Sequence, residues 1–501
     1  MKKCISVLLL IAMVLGLCAC GGGDKEQSQT TPGTTAANPT TPAAVSAVEK
    51  LNTVSEFSVG YARIDITPQT SVPLAGSTTA RISKNILDNL YATAIAIADG
   101  QGTAVIWMTI DLQRASNVTV EAVRPLVSMQ TGIPESRIIF HGTHTHSGPD
   151  LHKHNNAQIE QYKEYLNPRL LSVCLEAIQD LKPAEMYVGS VETESLNFVK
   201  HYEYIDENGE KQFFGDHFGT ATYNETTKHA TDADPTMHLL KFTRTGGKDV
   251  IIANWRAHPN STASSDPESI SPDFPGGFRR SMEMLTDCHF AYFNGACGNL
   301  NSKSRITTEM RTTDMFEHGH MLAEHALEGL ENNMRKIETG PITTKQIVLD
   351  QPVNHTMDHV FYKAKELQAM FQATGDYNAV RDAGLPYGIR SSIHAGAIVS
   401  NYSRGETTDI ELDAIAIGEE FAVVTAPNEL FDTLTEQLEE KTPYPMTMFF
   451  GYSNGYRGYI PSAYGWEYTC YETDCSWTIP GTGETIRDTF LEMLGELQAA
   501  E

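Results

Sequence analysis

The sequence lacks any tract of basic residues. Its 37 Lys and Arg residues stand against 63 Asp and Glu residues, and the formal charge is −26. Nucleic acid binding is disfavoured, because phosphate backbones are neutralised by cationic side chains. The same negative charge repels an anionic lipid surface, so any contact with a membrane needs a cause other than electrostatic attraction.

The apolar run near the N-terminus is too short to span a bilayer. It extends from Ile5 to Leu17, follows two lysines and ends in Leu17-Cys18-Ala19-Cys20 before three glycines. A charged start, a short apolar stretch and small residues are typical of a secretory signal, and the end resembles a bacterial lipobox. We therefore expect a signal peptide over residues 1–19, a lipid on Cys20, and anchoring to the outer face of the cell membrane.

Apolar residues are scarce in the segment that follows the signal. Residues 20–57 are rich in Gly, Thr, Pro and Ala and cannot build a core, which predicts a flexible tether. The folded region is expected over residues 58–501.

Cysteine is too rare and too irregularly spaced for a zinc knuckle. Cys470 and Cys475 are close enough in sequence to suggest a small disulfide in an exported protein, whereas Cys174 lies in a helical pattern and is expected to be buried.

Three common catalytic motifs are also missing. The sequence has no Gly-x-Ser-x-Gly elbow, no Walker loop and no Gly-x-Gly-x-x-Gly after a strand. These absences disfavour α/β-type serine hydrolases, NTPases and dehydrogenases.

Short apolar runs alternate with helical patterns along the rest of the chain. This alternation predicts the α/β class, as a single large domain with a mixed β-sheet and flanking helices. The predicted strands are residues 91–98, 103–111, 136–141, 237–243, 250–257, 288–294 and 421–426. The predicted helices are residues 120–131, 159–181, 315–336, 364–374, 429–440 and 485–497.

A cluster of histidines follows the strand predicted at residues 136–141. The sequence Thr143-His144-Thr145-His146-Ser147-Gly148-Pro149 places two imidazoles two residues apart, which in an extended segment puts them on the same side. Two such imidazoles can share a metal, or one can bind the metal while the other moves protons. A polar loop that merely contains histidines is the alternative.

Three further segments are candidates for the same site. His258 ends an apolar strand, and Glu429 comes between another strand and a predicted helix, where it would equally complement the helix dipole. The segment 451–461 is rich in glycine and tyrosine and predicts a tight loop. By contrast, the helical segment around His318 and His320 lacks the His-Glu-x-x-His spacing and predicts a solvated helix face.

Taken together, these segments resemble the N-terminal catalytic domain of the neutral/alkaline (non-lysosomal) ceramidase family. The resemblance covers nearly all of the folded chain, because its motifs occur in family order. They are residues 59–68, His144 to Pro149, Ala257 to Pro259, Asn294 to Ser302 and Asn454 to Tyr471. The chain also ends where that catalytic domain ends, so we expect the small C-terminal β-domain of the family to be absent.

The resemblance implies a zinc ion and a set of site residues. By analogy, Zn²⁺ would be held by His144, His258, Glu429 and Tyr459. His146 matches the acid/base histidine, and Tyr471 matches a tyrosine that helps to hold the reacting carbonyl.

At two positions the sequence departs from the family pattern, and these departures weaken the expectation that its substrate is the family's. Asn301 stands where the family has a serine, with Ser302 one residue away; a carboxamide cannot attack but can donate a hydrogen bond to an oxyanion. The family's substrate-binding arginine is replaced by a segment containing Lys200, which can bind an anion but lacks the guanidinium fork.

The sequence therefore predicts a surface-anchored zinc hydrolase that cleaves an amide through a metal-activated water. Its substrate would be a small-molecule or lipid amide, either ceramide or another N-acyl compound. Two alternatives stay open: a hydrolase of the same fold acting on a different amide or ester, and a binding lipoprotein without turnover.

Overall fold

A computed structural model describes residues 46–500 apart from 78–79, 153–155, 216–223, 305 and 307–313. The predicted signal peptide, Cys20 and most of the predicted tether lie outside these residues. The described residues all fall within one compact unit. Among them, no helix is both long enough and apolar enough to cross a membrane.

Three of the long helices begin at polar N-caps. Ser116, Asn156 and Asp314 each accept hydrogen bonds from the first turn of the helix that follows. The α-helices of the described residues are α1 (Ala47–Leu51), α2 (Asn117–Thr131), α3 (Ala157–Gln179), α4 (Ser261–Ser265), α5 (Phe274–Leu285), α6 (Met315–Asn332), α7 (Phe361–Thr374), α8 (Tyr377–Gly384), α9 (Ser392–Tyr402), α10 (Asp432–Glu439), α11 (Ala463–Tyr468), α12 (Tyr471–Cys475) and α13 (Thr482–Ala500).

The strands differ widely in length, and the long ones form two sheets. The strands of the described residues are β1 (Ser58–Asp65), β2 (Pro73–Leu74), β3 (Arg81–Ile82), β4 (Asn85–Ile86), β5 (Tyr91–Ala98), β6 (Ala104–Ile110), β7 (Ile138–Gly142), β8 (Lys182–Glu192), β9 (Phe198–Val199), β10 (His201–Ile205), β11 (Lys211–Gly215), β12 (Lys228–His229), β13 (Thr236–Arg244), β14 (Val250–Trp255), β15 (Ser269–Ile270), β16 (His289–Asn294), β17 (Leu300–Asn301), β18 (Arg335–Ile337), β19 (Ile342–Pro352), β20 (Thr407–Ile417), β21 (Phe421–Thr425), β22 (Glu429–Leu430), β23 (Met446–Phe450) and β24 (Tyr459–Ile460).

The main sheet is mixed. Its strand order is β16-β14-β13-β8-β1-β5-β6-β7, with β18 paired to β8. The pairs β14/β16 and β6/β7 are parallel, and the other pairs are antiparallel. A second sheet has the order β19-β20-β21-β23, in which only β21/β23 is parallel.

The two sheets pack face to face, and helices cover their outer faces. Trp107 and Phe293 of the main sheet and Phe421 and Phe450 of the second sheet share one buried cluster. The outer face of the main sheet packs against α2, α3, α5 and α6. The outer face of the second sheet packs against α10 and α13. The fold therefore has four layers, with an apolar core on each side of both sheets.

The predicted α/β class, with a large mixed sheet and flanking helices, is confirmed. The second sheet was not predicted as a separate layer, because only residues 421–426 of it were assigned to a strand. Two boundaries were wrong. The predicted helix 315–336 ends at Asn332 and is followed by β18. Helix α1 lies in the segment assigned to the tether, and Ala47 is buried in the core, so the folded part begins before Ser58.

The cysteines of the described residues are all free. Cys174 is fully buried beside Met108, as predicted. Cys470 and Cys475 do not form the suggested disulfide. They lie at opposite ends of α12, and a helical rise of about 1.5 Å per residue separates them by more than the ~7 Å that a disulfide can bridge.

The predicted solvated face of α6 is wrong for one of its histidines. His320 is exposed and lies 3.8 Å from Glu324, whereas His318 is buried against Trp255 and Phe274. Burial lowers the pKa of His318 to about 4, so the ring is neutral at physiological pH. The ring fills the core between the main sheet and helices α5 and α6, and it is not part of the cluster formed by His144, His146 and His258.

Candidate metal centre and active site

The candidate site lies where the parallel strand pairs end. The carboxyl ends of β6, β7, β14, β16, β21 and β23 lead into the segments that carry its residues. Ligand sites of α/β sheets form at such carboxyl ends. Here both sheets contribute, since His144 and His258 follow strands of the main sheet and Glu429 follows a strand of the second.

His144 and His146 come together, but by a bend rather than by extended backbone. His144 has φ 72°, in the left-handed region that L-residues rarely adopt. Its N–H donates to the carbonyl oxygen of Leu112 at 3.0 Å, and the N–H of His146 donates to that of Pro259 at 3.0 Å. The loop therefore departs from the extended geometry that we predicted, and it carries backbone strain of the kind found at functional sites.

The other histidine near the start of the loop has a structural role. His141 is fully buried in β7, where Nε2 accepts from the N–H of Asn294 at 3.0 Å and Nδ1 lies 3.0 Å from Thr109 Oγ1. Burial lowers its pKa to about 3.

The imidazoles of His144, His146 and His258 share one hydrogen-bonding pattern. Each Nδ1 lies against a backbone carbonyl oxygen, and since a carbonyl can only accept, each Nδ1 carries the proton and donates. The donor and acceptor pairs are His144 with Gln113 at 2.8 Å, His146 with Gly76 at 3.0 Å, and His258 with Leu300 at 2.9 Å. This arrangement fixes the ring orientation and leaves every Nε2 as a lone-pair acceptor.

These acceptors face one another across a short gap. The Nε2 atoms of His144 and His146 are 3.3 Å apart, and Glu429 Oε2 is 3.5 Å from His144 Nε2 and 3.3 Å from His258 Nε2. His144, His258 and Glu429 are all buried. Neither Glu429 Oε2 nor His258 Nε2 has a hydrogen-bond partner. Buried acceptors that face one another without a donor repel, so the group requires a positive charge at its centre.

The spacing fits a tetrahedral zinc ion. Two ligand atoms, each 2.0–2.1 Å from a tetrahedral ion, lie about 3.4 Å apart. The distances of 3.3 Å and 3.5 Å from Glu429 Oε2 to the two imidazoles match this value. The ligand atoms of His144, His146 and His258 also lie within 4.8 Å of one another. Imidazole nitrogen and carboxylate oxygen are among the ligands that zinc takes in proteins.

The pKa values of the histidines and of Glu429 also indicate that the site needs a positive charge. Burial lowers the pKa of His144 to about 3 and that of His146 well below its usual range, so both rings are neutral. Burial alone would raise the pKa of Glu429, but His144 and His258 outweigh it and hold this pKa below its usual range. Burial and Lys200 oppose charge on His258, yet Cys297 and Glu429 raise its pKa to about 9. A proton or a metal ion satisfies the cluster.

The structure places Glu429 on a strand and not on a helix. Strand β22 carries Glu429 and pairs in parallel with β24, in which Tyr459 is its register partner; helix α10 begins only at Asp432. The alternative that Glu429 complements a helix dipole is therefore wrong. The hydroxyl of Tyr456 donates to Glu429 Oε1 at 2.6 Å, so this loop tyrosine orients the carboxylate.

Tyr459 and Tyr471 lie side by side on the wall of the cavity that opens onto the histidines. Their rings meet edge to face at 5.7 Å. The cavity has a volume of about 1140 Å³, enough for a small organic substrate.

Asn301 lines the same cavity. Its Oδ1 accepts from Asn260 Nδ2 at 3.1 Å, and its backbone forms a bridge with His258. Ser302 is buried 3.5 Å from Ser261 Oγ and is not among the described lining residues, so Asn301 and not Ser302 faces the site.

Lys200 borders the cavity, but its positive charge is neutralised by an ion pair with Glu472. Its Nζ lies 2.8 Å from Glu472 Oε1, and both side chains are buried. Glu472 Oε2 also lies 2.8 Å from His201 Nε2. With Cys470, these last two residues form a second candidate metal group, but the ion pair with Lys200 already satisfies the charge of Glu472.

Comparison with known proteins identifies relatives across most of the chain. No family model matches the sequence. Neutral ceramidase 1 of Arabidopsis thaliana is 24% identical over 410 residues, which is 78% of this chain and 50% of the relative. Neutral ceramidase 2 of the same plant is 23% identical over 419 residues, again 78% of this chain and 50% of the relative. The crystal structure of neutral ceramidase from Pseudomonas aeruginosa superposes with a TM-score of 0.66 at 16% identity, and covers 89% of this chain and 75% of that one.

The chain is thus similar in sequence to the plant neutral ceramidases and in fold to the bacterial one. It spans about half the length of the plant relatives that it matches. A structure described as a ceramidase complexed with C2 gives a TM-score of 0.64 at 16% identity, over 89% of this chain and 76% of that one. These structural matches show that the chain has the fold of these ceramidase structures, as the sequence resemblance implied.

Several residues that build the site were missed by sequence reasoning. Gly76, Gln113 and Leu300 act through backbone carbonyls, which every residue has and which therefore leave no signal in the sequence. Tyr452 stacks on the His144 ring at 3.9 Å, and Tyr456 holds Glu429. Both tyrosines lie in the segment 451–461, so the signal was present but did not indicate which tyrosines mattered.

Gly76 offers a test of how tightly His146 is held. Gly76 has φ +80°, and a Cβ added there would lie 2.3 Å from Cγ of His146. We expect Gly76→Ala to displace the imidazole and to cost at least about 1 kcal/mol more folding free energy than backbone strain alone. Histidine ring NMR and thermal unfolding measure both effects.

The matched control is Gly132→Ala. Gly132 has φ +75° and open space where a Cβ would be, so this variant has similar backbone strain without the collision. Equal destabilisation of the two variants, with unchanged ring signals for His146, would contradict the close packing described here.

Proposed function

We propose that the protein is a zinc-dependent hydrolase that cleaves the amide bond of an N-acyl compound. The relatives are named for ceramide, whose acyl chain is joined by an amide. Ceramide or another N-acyl compound is therefore the proposed substrate class. The observation that carries the proposal is the buried group of facing acceptors formed by His144, His258 and Glu429, which needs a cation.

The proposed zinc ligands are His144, His258, Glu429 and Tyr459. The first three present their lone pairs to a common point at spacings that suit a tetrahedral ion. Tyr459 is favoured as the fourth because it is the register partner of Glu429 and lines the cavity. Bound zinc supplies a Lewis acid for the scissile carbonyl and lowers the pKa of a water molecule to about 7.

In this proposal the remaining residues transfer a proton and position the substrate. His146 is more exposed to the cavity than His144 and His258, so its Nε2 lone pair is available to take a proton from the attacking water and to pass it to the leaving amine. The Asn301 carboxamide donates a hydrogen bond to the oxyanion, and the Tyr471 hydroxyl orients the carbonyl. The bond between His146 Nδ1 and the Gly76 carbonyl holds the ring in the tautomer that this role needs.

Two alternatives predict different measurements. A hydrolase of the same fold acting on another amide or ester would bind zinc and cleave acyl compounds other than ceramide. A binding lipoprotein would hold its ligand without turnover. Both are separated from the proposal by metal analysis together with release of fatty acid from a short fluorescent ceramide and from other acyl amides and esters.

Variants of the metal ligands test the proposal. We expect His144→Ala and Glu429→Gln to lose bound zinc and to lower the rate of amide hydrolysis roughly a hundredfold or more, since each removes a zinc ligand atom. Zinc is measured by mass spectrometry of the purified protein, and hydrolysis by released fatty acid. The control is His320→Ala on the exposed side of α6, which should keep both.

Retention of zinc and of hydrolysis by His144→Ala would show that the site is elsewhere. Absence of zinc and of all hydrolysis from the wild-type protein would refute the enzyme assignment itself.

We also propose that the protein is exported and held at the outer face of the cell membrane by a lipid on Cys20. Support comes from the charged and apolar N-terminus and the small residues before three glycines. Cys20→Ser is expected to move the protein from the membrane fraction to the soluble fraction of the producing cells, while Cys174→Ser leaves it in the membrane. Membrane association that survives Cys20→Ser would overturn the lipid anchor.

A further inference from the structure

Few aliphatic side chains line the cavity at the site. Among its described lining residues, only Ala263 and Ile393 have aliphatic side chains. Serine, asparagine, tyrosine and charged side chains form most of the remaining wall. The apolar surface of this wall therefore comes mainly from tyrosine rings and from the methylene groups of long polar side chains.

Arg81 lines the cavity, and no carboxylate of the described residues compensates its positive charge. Its guanidinium donates to the carbonyl oxygens of Ala75, of His146 at 2.6 Å and of Pro267 at 3.3 Å, all of them neutral. The side chain is buried, its Nε has no acceptor, and no acidic residue of the described chain pairs with it. Burial without a carboxylate lowers the pKa of Arg81.

Arg114 is a second guanidinium of this kind. It stacks on the ring of Tyr456 with its Cζ 3.8 Å from the ring centroid, and NH2 donates to Gln113 Oε1 at 3.2 Å. Its Nε is buried without an acceptor, and it too has no acidic partner in the described part of the chain. Tyr456 also holds Glu429, so one phenol ring positions both the arginine and the carboxylate of the site.

Unpaired arginines are unexpected in a protein with this charge. Acidic residues outnumber basic ones by 63 to 37, so partners are abundant. Elsewhere buried cations take them: Arg256 pairs with Asp234 at 2.5 Å, and Arg279 pairs with Asp111 at 2.9 Å. Keeping two guanidiniums unpaired at one cavity is costly unless a ligand supplies the negative charge.

We infer that the substrate is an anionic N-acyl compound, and that Arg114 binds its negatively charged group in a cavity to which Arg81 adds positive charge. Guanidinium forks bind carboxylates in this manner. The inference rests on the proposed amide hydrolysis and narrows its substrate class. Ceramide is uncharged and lacks the group that Arg114 would bind, whereas an acylated amino acid carries a carboxylate.

The test compares two substrates that differ in charge. N-hexanoylglycine carries a carboxylate, and N-hexanoylglycinamide is its neutral counterpart of nearly the same shape. With zinc-loaded protein, release of hexanoate should give a kcat/KM at least about tenfold higher for the acid than for the glycinamide. Short-chain ceramide serves as the third substrate and should be cleaved more slowly than the acid.

The preference for the acid over the glycinamide should depend on Arg114. Arg114→Gln is expected to lower the ratio of acid to glycinamide kcat/KM about tenfold, and Arg114→Lys to restore part of it, because a lysine keeps the charge without the fork. Arg335→Gln removes a positive charge from an exposed position on β18 and should leave the ratio unchanged.

The outcomes separate this inference from the proposed function. Equal cleavage of acid and glycinamide, or a preference for ceramide, overturns the anionic substrate while amide hydrolysis stands. If the zinc-loaded protein cleaves none of the three, the proposed function fails, and calorimetric binding of N-hexanoylglycine then decides the inference. Binding of the acid that is weakened by Arg114→Gln supports the anion site, and binding no tighter than that of the glycinamide overturns it.

Discussion

The centre of this molecule is a group of hydrogen-bond acceptors that face one another in a buried space. Each imidazole of His144, His146 and His258 uses its only N–H on a backbone carbonyl. The lone pairs of His144 and His258 face Glu429, and that of His146 faces His144. Such an arrangement is electrostatically unfavourable without a cation. The carbonyls that hold the rings, the tyrosine that holds the carboxylate and the strained backbone of His144 all serve to keep these acceptors together.

The layered fold explains how residues so far apart in sequence meet. Two sheets pack face to face through an apolar interface. The ends of their parallel pairs meet, since the N–H of Gly142 donates to the carbonyl oxygen of Tyr452 at 3.3 Å and the N–H of Gly451 donates to that of Asn294 at 3.1 Å. Six strand ends therefore deliver short segments to one place, and a rigid apolar scaffold fixes them. Because the interface between the sheets is large, the site can hold buried charge and backbone strain without loosening the fold. The neutral ceramidase of Pseudomonas aeruginosa has the same architecture at 16% identity.

Sequence reasoning predicted those structural features that depend on particular residue types or on their spacing. Long apolar strands such as β5 and β6, amphipathic helices such as α3, and the meeting of His144 with His146 were all predicted. The second sheet was not recognised as a layer, and Glu429 was placed at a helix start, because the short strand β22 is stabilised only by pairing with β24 across the fold. The backbone carbonyls that accept hydrogen bonds from the imidazoles could not be predicted, because every residue has such a group. The unpaired charges of Arg81 and Arg114 become visible only when the positions of the acidic residues are known.

The most direct test of the cation at the centre is anomalous diffraction from a zinc-soaked crystal, with data collected above and below the zinc absorption edge. The account predicts one strong anomalous peak about 2.0–2.1 Å from Nε2 of His144, Nε2 of His258 and the Glu429 carboxylate. A crystal with full zinc occupancy elsewhere and no peak between these three residues would contradict it.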